Sequence, residues 1–169
     1  MRLTAEDLIN ELGLKPLPGE GGYFAETYRA TGVIPASVLA PKYSGPRPFG
    51  TAIYYLLTPE TFSALHRLPG EEVYHFYLGD PVEMLQLEDD GSGRTIIIGS
   101  DLRAGMRPQV LVPGGVWQGS RLVPGGEFAL LGTTMAPGFN FEDYTPGLRE
   151  PLMRRYPAFR SLIAALCRE

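Results

Sequence analysis

Residues 62–79, FSALHRLPGEEVYHFYLG, contain both histidines of the chain, His66 and His75, with Glu71 and Glu72 between them. Imidazole and carboxylate groups are common general acids and bases, and both also bind divalent transition metals. A carboxylate beside an imidazole fixes its tautomer, so we expect Glu72 to bond to His66 and to leave the second ring nitrogen free. This arrangement predicts a catalytic pair in which His66 is the general base.

Two short strands are expected to position this pair. FSALHR alternates apolar and polar residues, and VYHFYL is rich in aromatic and β-branched residues, which is typical of strands. The dipeptide Pro69-Gly70 supplies the turn between them. His75 follows Glu72 by three residues, so strand alternation predicts that it lies on the opposite face.

Further strands are predicted throughout residues 49–135. Turn residues rich in Pro, Gly and Asp separate the segments FGTAIYYLLT, VEMLQLE, RTIIIG, QVLVP, VWQGSRL and EFALLGTTMA. Before them, residues 22–30 predict a strand in which Tyr23 and Arg29 share one face and Phe24 and Glu26 share the other. Residues 31–48 contain four prolines and predict a long loop.

The two ends of the chain have a helical pattern instead. Residues 4–12 predict a short amphipathic helix that Thr4 and Asp7 cap and that Gly13 ends. Residues 157–169 place Phe159 and Ile163 on one helical face. No repeat or domain boundary interrupts the pattern, so we expect a single all-β domain, residues 1–169, with one helix at each end.

Composition excludes several classes of protein. The net charge of −4 lacks the basic footprint of nucleic-acid binding, and no apolar run is long enough to cross a membrane. The first residues carry acids and have no apolar signal region, so we expect a cytoplasmic protein. The single cysteine, Cys167, excludes an internal disulfide and a thiolate metal cluster.

The central stretch resembles the first cupin motif. His66, Glu72 and Gly79 stand at the spacing of that motif, whereas Leu68 stands where its second histidine is expected and Glu60 where its leading glycine is expected. In the second motif Pro113 and Gly115 match. Gln118 replaces the histidine of that motif, and Leu122 replaces its asparagine.

The chain is more closely similar to the fifth cupin subfamily, which consists of single-domain proteins. The similar stretches are EGGYFAETYRA, TAIYYLL, FSALHR, EEVYHFYLGDP, VPGGVWQGSRL and GTTMAPGFNFEDY. The resemblance implies a double-stranded β-helix, a jelly-roll barrel of two facing antiparallel sheets with a pocket between them, and a homodimer. The GYFAE element also resembles a short stretch of the sugar-nucleotide epimerases of rhamnose biosynthesis.

Three functions remain open on this basis. The first is binding of a small, carbohydrate-like molecule; the second is a metal-independent epimerase or isomerase with His66 as base; the third is a metal-dependent cupin enzyme. We expect no required cofactor. A divalent metal, if one binds, would be held by His66, Glu72 and Gln118, and Leu68 argues against it because it cannot coordinate. The candidate ligand-binding residues share aromatic or polar side chains near the motifs: Tyr23, Glu26, Arg29, Tyr54, Tyr74, Trp117 and Gln118.

Overall fold

Short strands dominate the computed structural model, which describes residues 3–168. The described strands are β1 (Lys15–Pro16), β2 (Tyr23–Arg29), β3 (Val33–Ile34), β4 (Arg47–Pro48), β5 (Thr51–Leu57), β6 (Phe62–Arg67), β7 (Glu72–Gly79), β8 (Val82–Leu87), β9 (Gly93–Ile98), β10 (Gln109–Val112), β11 (Trp117–Leu122), β12 (Ala129–Met135) and β13 (Thr145–Pro146). The α-helices are α1 (Ala5–Glu11), α2 (Arg149–Arg155) and α3 (Arg160–Leu166). Single 3-10 turns form at Ala36–Val38, Phe141–Asp143 and Pro157–Phe159.

The strands form two antiparallel sheets. One has the order β1-β2-β5-β12-β7-β10 and the other the order β13-β6-β11-β8-β9, while β3 and β4 form a separate two-stranded ribbon. Because every pairing within the two sheets is antiparallel and both sheets contribute to one core, the predicted all-β class and double-stranded β-helix are confirmed. The strand predicted from FSALHR has the predicted bounds, residues 62–67.

The main core fills one part of the space between the sheets. Alternation along each strand turns Tyr55, Tyr74 and Leu131 inward from one sheet and Val82 and Met84 inward from the other, and all five are nearly fully buried. Burial of such side chains removes apolar surface from water and stabilises the folded state by about 25 cal/mol per Å² of that surface. The rest of the interior, nearer to Glu72 and Arg29, is left open as a cavity.

The N-terminal helix has the predicted cap. The Thr4 hydroxyl accepts the backbone N–H of Asp7, and the Asp7 carboxylate accepts the backbone N–H of Thr4, so that a complete capping box begins α1. Leu8 of this helix packs with Leu56 and Leu130 on the outer face of the first sheet. Helix α1 therefore closes one outer face of the fold.

The C-terminal region contains more helix than the sequence predicts. The predicted helix 157–169 is a 3-10 turn followed by α3, with residue 169 outside the described residues, and α2 precedes it without having been predicted. Leu152 of α2 and Ile163 of α3 pack with Leu85 on the outer face of the second sheet. The two helices thus cover the face of that sheet opposite the cavity.

Residues 31–48 are more ordered than the predicted loop. The segment contains the β3–β4 ribbon and a 3-10 turn, and its Arg47 side chain is fully buried. Arg47 donates two hydrogen bonds to the Asp143 carboxylate, at 2.9 and 2.6 Å. The segment therefore anchors residues 139–144, which form one wall of the cavity.

Within residues 3–168, the helices are all too short or too polar to serve as a membrane span.

Candidate functional site

The candidate site is a cavity of about 160 Å³ against the inner face of the first sheet. Its walls come from the loop before β2, from β2, β5, β7 and β12, and from residues 139–144. Most of the lining is apolar or aromatic, with three carboxyl groups, those of Glu20, Glu26 and Glu72, among the polar exceptions. A mostly apolar cavity with a few polar groups is the usual form of a small-molecule site.

Glu72 is the buried carboxyl group of the cavity. It begins β7, is 7% exposed, and accepts a 2.8 Å hydrogen bond on Oε2 from the side-chain amide of Gln118 on the opposite sheet. Burial raises the pKa of Glu72, the negative charge of Glu20 raises this pKa further, and the nearby His66 partly offsets the shift. The Gln118–Glu72 bond links the two sheets at the cavity.

His66 lies behind the cavity lining on β6. Its Nδ1 is 2.7 Å from the carbonyl oxygen of Ala64, and because a carbonyl only accepts, Nδ1 carries the proton. The Tyr144 ring stacks on the imidazole at 5.0 Å, and the His66 side chain is 1% exposed. Its Nε2 lies 3.9 Å from the Glu20 carboxylate.

The expected His66–Glu72 bond is therefore replaced by two separate contacts. Gln118 donates a hydrogen bond to the Glu72 carboxyl group, and the carboxylate that faces His66 belongs to Glu20. His66 and Glu72, which stand at the spacing of the first cupin motif, are close enough to interact electrostatically. Their side chains are nevertheless hydrogen-bonded to other groups. The pairing predicted from sequence is corrected on this point.

Glu20 is the site residue that sequence reasoning missed. Its carboxylate accepts a 2.7 Å bond from the Ser63 hydroxyl, and its backbone carbonyl accepts the N–H of Ala64 on β6. The loop can approach β6 because Gly21 has φ of 106° and a side chain there would overlap the Phe62 carbonyl. The Gly21-Gly22 pair in the sequence was the available signal that this loop packs closely.

Glu26 and Arg29 form an ion pair on the cavity wall. The Arg29 guanidinium donates two hydrogen bonds to the Glu26 carboxylate, at 2.9 and 2.7 Å, and a third to the Phe139 carbonyl. The predicted alternation placed these two residues on opposite faces, and this was wrong. The register of β2 against β5 shifts between Glu26 and Tyr28, and this irregularity turns both side chains toward the cavity.

The other candidate residues divide into two groups. Tyr74 lines the cavity, as Glu72 does. Tyr23 and Tyr54 pack instead on the outer face of the first sheet, in the cluster that includes Leu8 of α1. Their neighbours in the strands, Phe24 and Tyr55, take the inward positions. Their expected approach to the site is not what the structure shows.

Trp117 and His75 also lie away from the cavity. Trp117 packs in the cluster beneath α3, with the Arg67 guanidinium 4.8 Å above its ring. His75 Nε2 is hydrogen-bonded to the Thr134 hydroxyl at 2.9 Å, on the face of β7 opposite Glu72, as strand alternation predicted. The chemistry of the cavity therefore depends on a smaller set of residues than the candidate list.

The three candidate metal ligands do not fit a metal ion. The Gln118 amide directs its N–H group, which cannot coordinate, at Glu72, and the free nitrogen of His66 faces Glu20. Leu68 contributes an apolar wall to the cavity. In residues 3–168 no group of three or more His, Cys, Asp or Glu side chains is arranged to hold a metal.

Comparison with known proteins gives a consistent family assignment. The family model described as Cupin superfamily (DUF985) matches residues 6–146. Among curated proteins, uncharacterized protein YML079W of Saccharomyces cerevisiae is 33% identical over 134 residues, which cover 75% of this chain and 67% of the yeast protein.

Solved structures resemble the whole chain. A hypothetical protein from Leishmania major has a TM-score of 0.88 and 30% identity, and covers 99% of this chain and 100% of its own. Protein SO0799 from Shewanella oneidensis has a TM-score of 0.85 and 32% identity, with 99% of both chains covered. Oxalate decarboxylase from Bacillus subtilis has a TM-score of 0.52 and 12% identity over 90% of this chain and 37% of its own, a likeness of fold alone.

Proposed function

Because the chain belongs to the cupin superfamily (DUF985), we propose that it binds a small molecule in the cavity on the inner face of its first sheet. The observation that carries the proposal is the buried carboxyl group of Glu72 inside an otherwise mostly apolar cavity. An isolated polar group in such surroundings needs hydrogen-bonding partners. Gln118 supplies one partner to Oε2 and the Thr133 side chain supplies a second hydrogen bond to the carboxyl group, and a ligand would add a further one from the cavity.

The cavity also limits the size of the ligand. An engineered apolar cavity of roughly 150 Å³ holds benzene, and this cavity measures about 160 Å³. A molecule with one ring-sized body and a few polar groups matches that space. A single sugar ring falls in this class, so the carbohydrate-like ligand expected from sequence remains part of the proposal.

An isomerase-type activity is the second candidate, and the Glu20–His66 contact favours it. A carboxylate and an imidazole 3.9 Å apart can exchange a proton through one bridging water, or directly once the two groups move closer. Of these two groups it is Glu20, rather than His66, that belongs to the cavity lining. If the protein is an enzyme, we therefore assign the proton-accepting position to Glu20 and the supporting position to His66.

Saturation-transfer NMR with cyclohexanol and with glucose tests the binding proposal. The test variant is Ile53→Phe, since Ile53 lies on β5, lines the cavity, and a larger ring there would fill it. The matched control is Leu111→Phe, which adds the same group at a position that is 47% exposed.

We expect the wild-type protein and L111F to bind at least one of the two probes, and I53F to bind it at least about tenfold more weakly. A preference for glucose would identify a sugar-like ligand, and a preference for cyclohexanol a less polar one. Equal binding by I53F and the wild type would place the probe outside the cavity and contradict the proposal.

A further inference from the structure

The cavity carries an excess of negative groups. The described residues that line it include three carboxyl groups, Glu20, Glu26 and Glu72, and one guanidinium group, Arg29. Arg29 is already engaged by two hydrogen bonds to Glu26 and one to the Phe139 carbonyl. Glu20 and Glu72 are therefore left without a cationic side chain in the lining, and an anionic ligand would meet repulsion there.

The His66 imidazole and the Arg168 guanidinium lie nearby but outside the lining. His66 faces Glu20 from behind, at 3.9 Å, and would neutralise it only in its doubly protonated form. The Arg168 guanidinium lies against Gly21 and acts on Tyr144 electrostatically. Neither group enters the cavity, so Glu20 and Glu72 face the space while the one guanidinium of the described lining, Arg29, is paired with Glu26.

Aromatic rings form much of the remaining wall. Six of the lining residues are aromatic: Phe24, Tyr55, Tyr74, Phe139, Phe141 and Tyr144. The faces of such rings carry negative electrostatic potential and attract cations, and several rings around one space form the usual site for quaternary ammonium groups. The rings and the carboxylates therefore favour the same sign of ligand charge by independent physical effects.

Tyr144 adds a directional group to this wall. Its hydroxyl oxygen is buried and has no hydrogen-bond partner among the described residues. Burial and the charge of Glu20 raise the pKa of Tyr144 to about 12, so the hydroxyl keeps its proton and can donate it. A ligand oxygen close to a cationic centre would satisfy this donor.

We propose that the cavity binds a small organic ammonium ion, with the cationic centre among the rings and carboxylates and a hydroxyl or carbonyl oxygen at Tyr144. The inference rests on the proposed small-molecule function and narrows its ligand class. It also excludes simple anions as ligands of this cavity. Amino alcohols and their methylated derivatives have the required charge, size and oxygen.

The test compares choline with its carbon isostere, dimethylbutanol, in which a tert-butyl group replaces the trimethylammonium group. The two molecules share shape and hydroxyl group and differ in charge. Affinities are measured by saturation-transfer titration and by calorimetry near neutral pH, at fixed ionic strength. We expect choline to bind the wild-type protein at least about tenfold more tightly than dimethylbutanol.

Variants identify the groups responsible. Glu72→Gln keeps the shape of the side chain and an acceptor for Gln118 while removing the charge, so it should weaken choline binding about tenfold and leave dimethylbutanol nearly unchanged. Glu20→Gln should act in the same direction. Glu83→Gln is the control, since Glu83 pairs with Arg121 outside the cavity, and it should change neither affinity.

Phe24→Leu provides a second route to the answer if a charge variant fails to fold. It removes one ring from the wall and should reduce the preference for choline over dimethylbutanol several-fold. Dimethylbutanol binding as tightly as choline would overturn the ammonium inference and leave the proposed function standing. If cyclohexanol or glucose binds but neither choline nor dimethylbutanol does, the ammonium inference is likewise overturned and the proposed function stands. If no probe binds in the cavity, both proposals fail.

Discussion

The buried ion pair between Arg47 and Asp143 offers a sharp test of how the cavity wall is held. The Arg47 side chain is 0% exposed and that of Asp143 is 4% exposed. Replacing Asp143 with Asn keeps its size and removes its charge. Besides the neutral Asn oxygen, the Arg47 guanidinium would then keep Glu142, which is half exposed, the Ser44 hydroxyl and the Pro46 carbonyl as partners.

The expected cost follows from this loss of a buried counter-charge. Removing one member of a buried pair typically destabilises a protein by about 3–5 kcal/mol, because the other charge stays buried without compensation. Since Glu142 still contacts Arg47 at 2.9 Å, we expect the lower end, about 3 kcal/mol. For a chain of 169 residues, this corresponds to a decrease in Tm of roughly 6–12 °C.

Urea and thermal unfolding of three variants measure this effect. Asp143→Asn should lose about 3 kcal/mol, while the double replacement of Arg47 by Met and Asp143 by Leu should recover most of the stability, because apolar residues of similar volume can replace a buried pair. Glu142→Gln is the control and should cost less than about 1 kcal/mol, because Glu142 is exposed.

Two results would refute this reasoning. A loss below about 1 kcal/mol in D143N would mean that Arg47 finds other compensation. A double variant no more stable than D143N would mean that the loss comes from something other than an uncompensated charge. Choline titration of the folded D143N protein would then show whether residues 139–144 still form the cavity wall.

Three further predictions concern the pH dependence, metal affinity and assembly of the protein. Burial raises the pKa of Glu72, so wild-type stability should fall as pH rises from the ordinary carboxyl pKa through the raised one. Glu72→Gln should therefore gain stability relative to wild type as pH rises above the ordinary carboxyl pKa of about 4 in urea unfolding, and a constant difference would contradict this. The double variant Leu68→His, Gln118→His should bind nickel or zinc at least about tenfold more tightly than wild type by calorimetry, if the backbone geometry is that of a cupin metal centre. We also expect a homodimer through the edge of β2, where Tyr28 and Phe49 are more than half exposed; Tyr28→Glu should halve the mass seen by light scattering, and a wild-type monomer of 18.5 kDa would exclude the dimer.

The strands could be predicted because local signals define them. Turn residues separate β5, β6, β7 and their successors, and alternation within each strand identifies its inner face. Helix α2 escaped prediction because its start has no side-chain cap and Pro151 lies in its first turn. Its position depends on Leu152 packing against the second sheet, which is a tertiary contact without a local pattern.

The site was only partly predictable for a related physical reason. Motif spacing identified His66, Glu72 and Gln118. His66 and Gln118 lie on the paired strands β6 and β11, and Glu72 lies on β7 of the opposite sheet. Glu20 reaches His66 through a loop whose path depends on the conformation of Gly21. Such a contact joins residues far apart in sequence, and spacing alone does not encode it.

The facing of β2 and the ion pair of Arg47 show the same limit. One irregularity in register reverses the faces of every residue beyond it, so the alternation that holds for Phe24 fails for Arg29. Arg47 and Asp143 are 96 positions apart, and no local pattern indicates that they pair. Both features appear only when the strands are packed together.

Leu68 and Gln118 connect the family pattern to the proposed ligand. At positions where the cupin motifs have histidines, this chain places an apolar wall and an amide that donates to Glu72. Glu72 and Glu20 nevertheless remain, so the cavity keeps negative groups and lacks the ligand set that would hold a metal beside them. An organic cation can offset those groups without a coordination sphere, since it needs ring faces and carboxylates rather than directed donor atoms. Restoring the two histidines should therefore increase zinc affinity and decrease choline affinity in the same variant, and an increase in both would show that the two cations use different places.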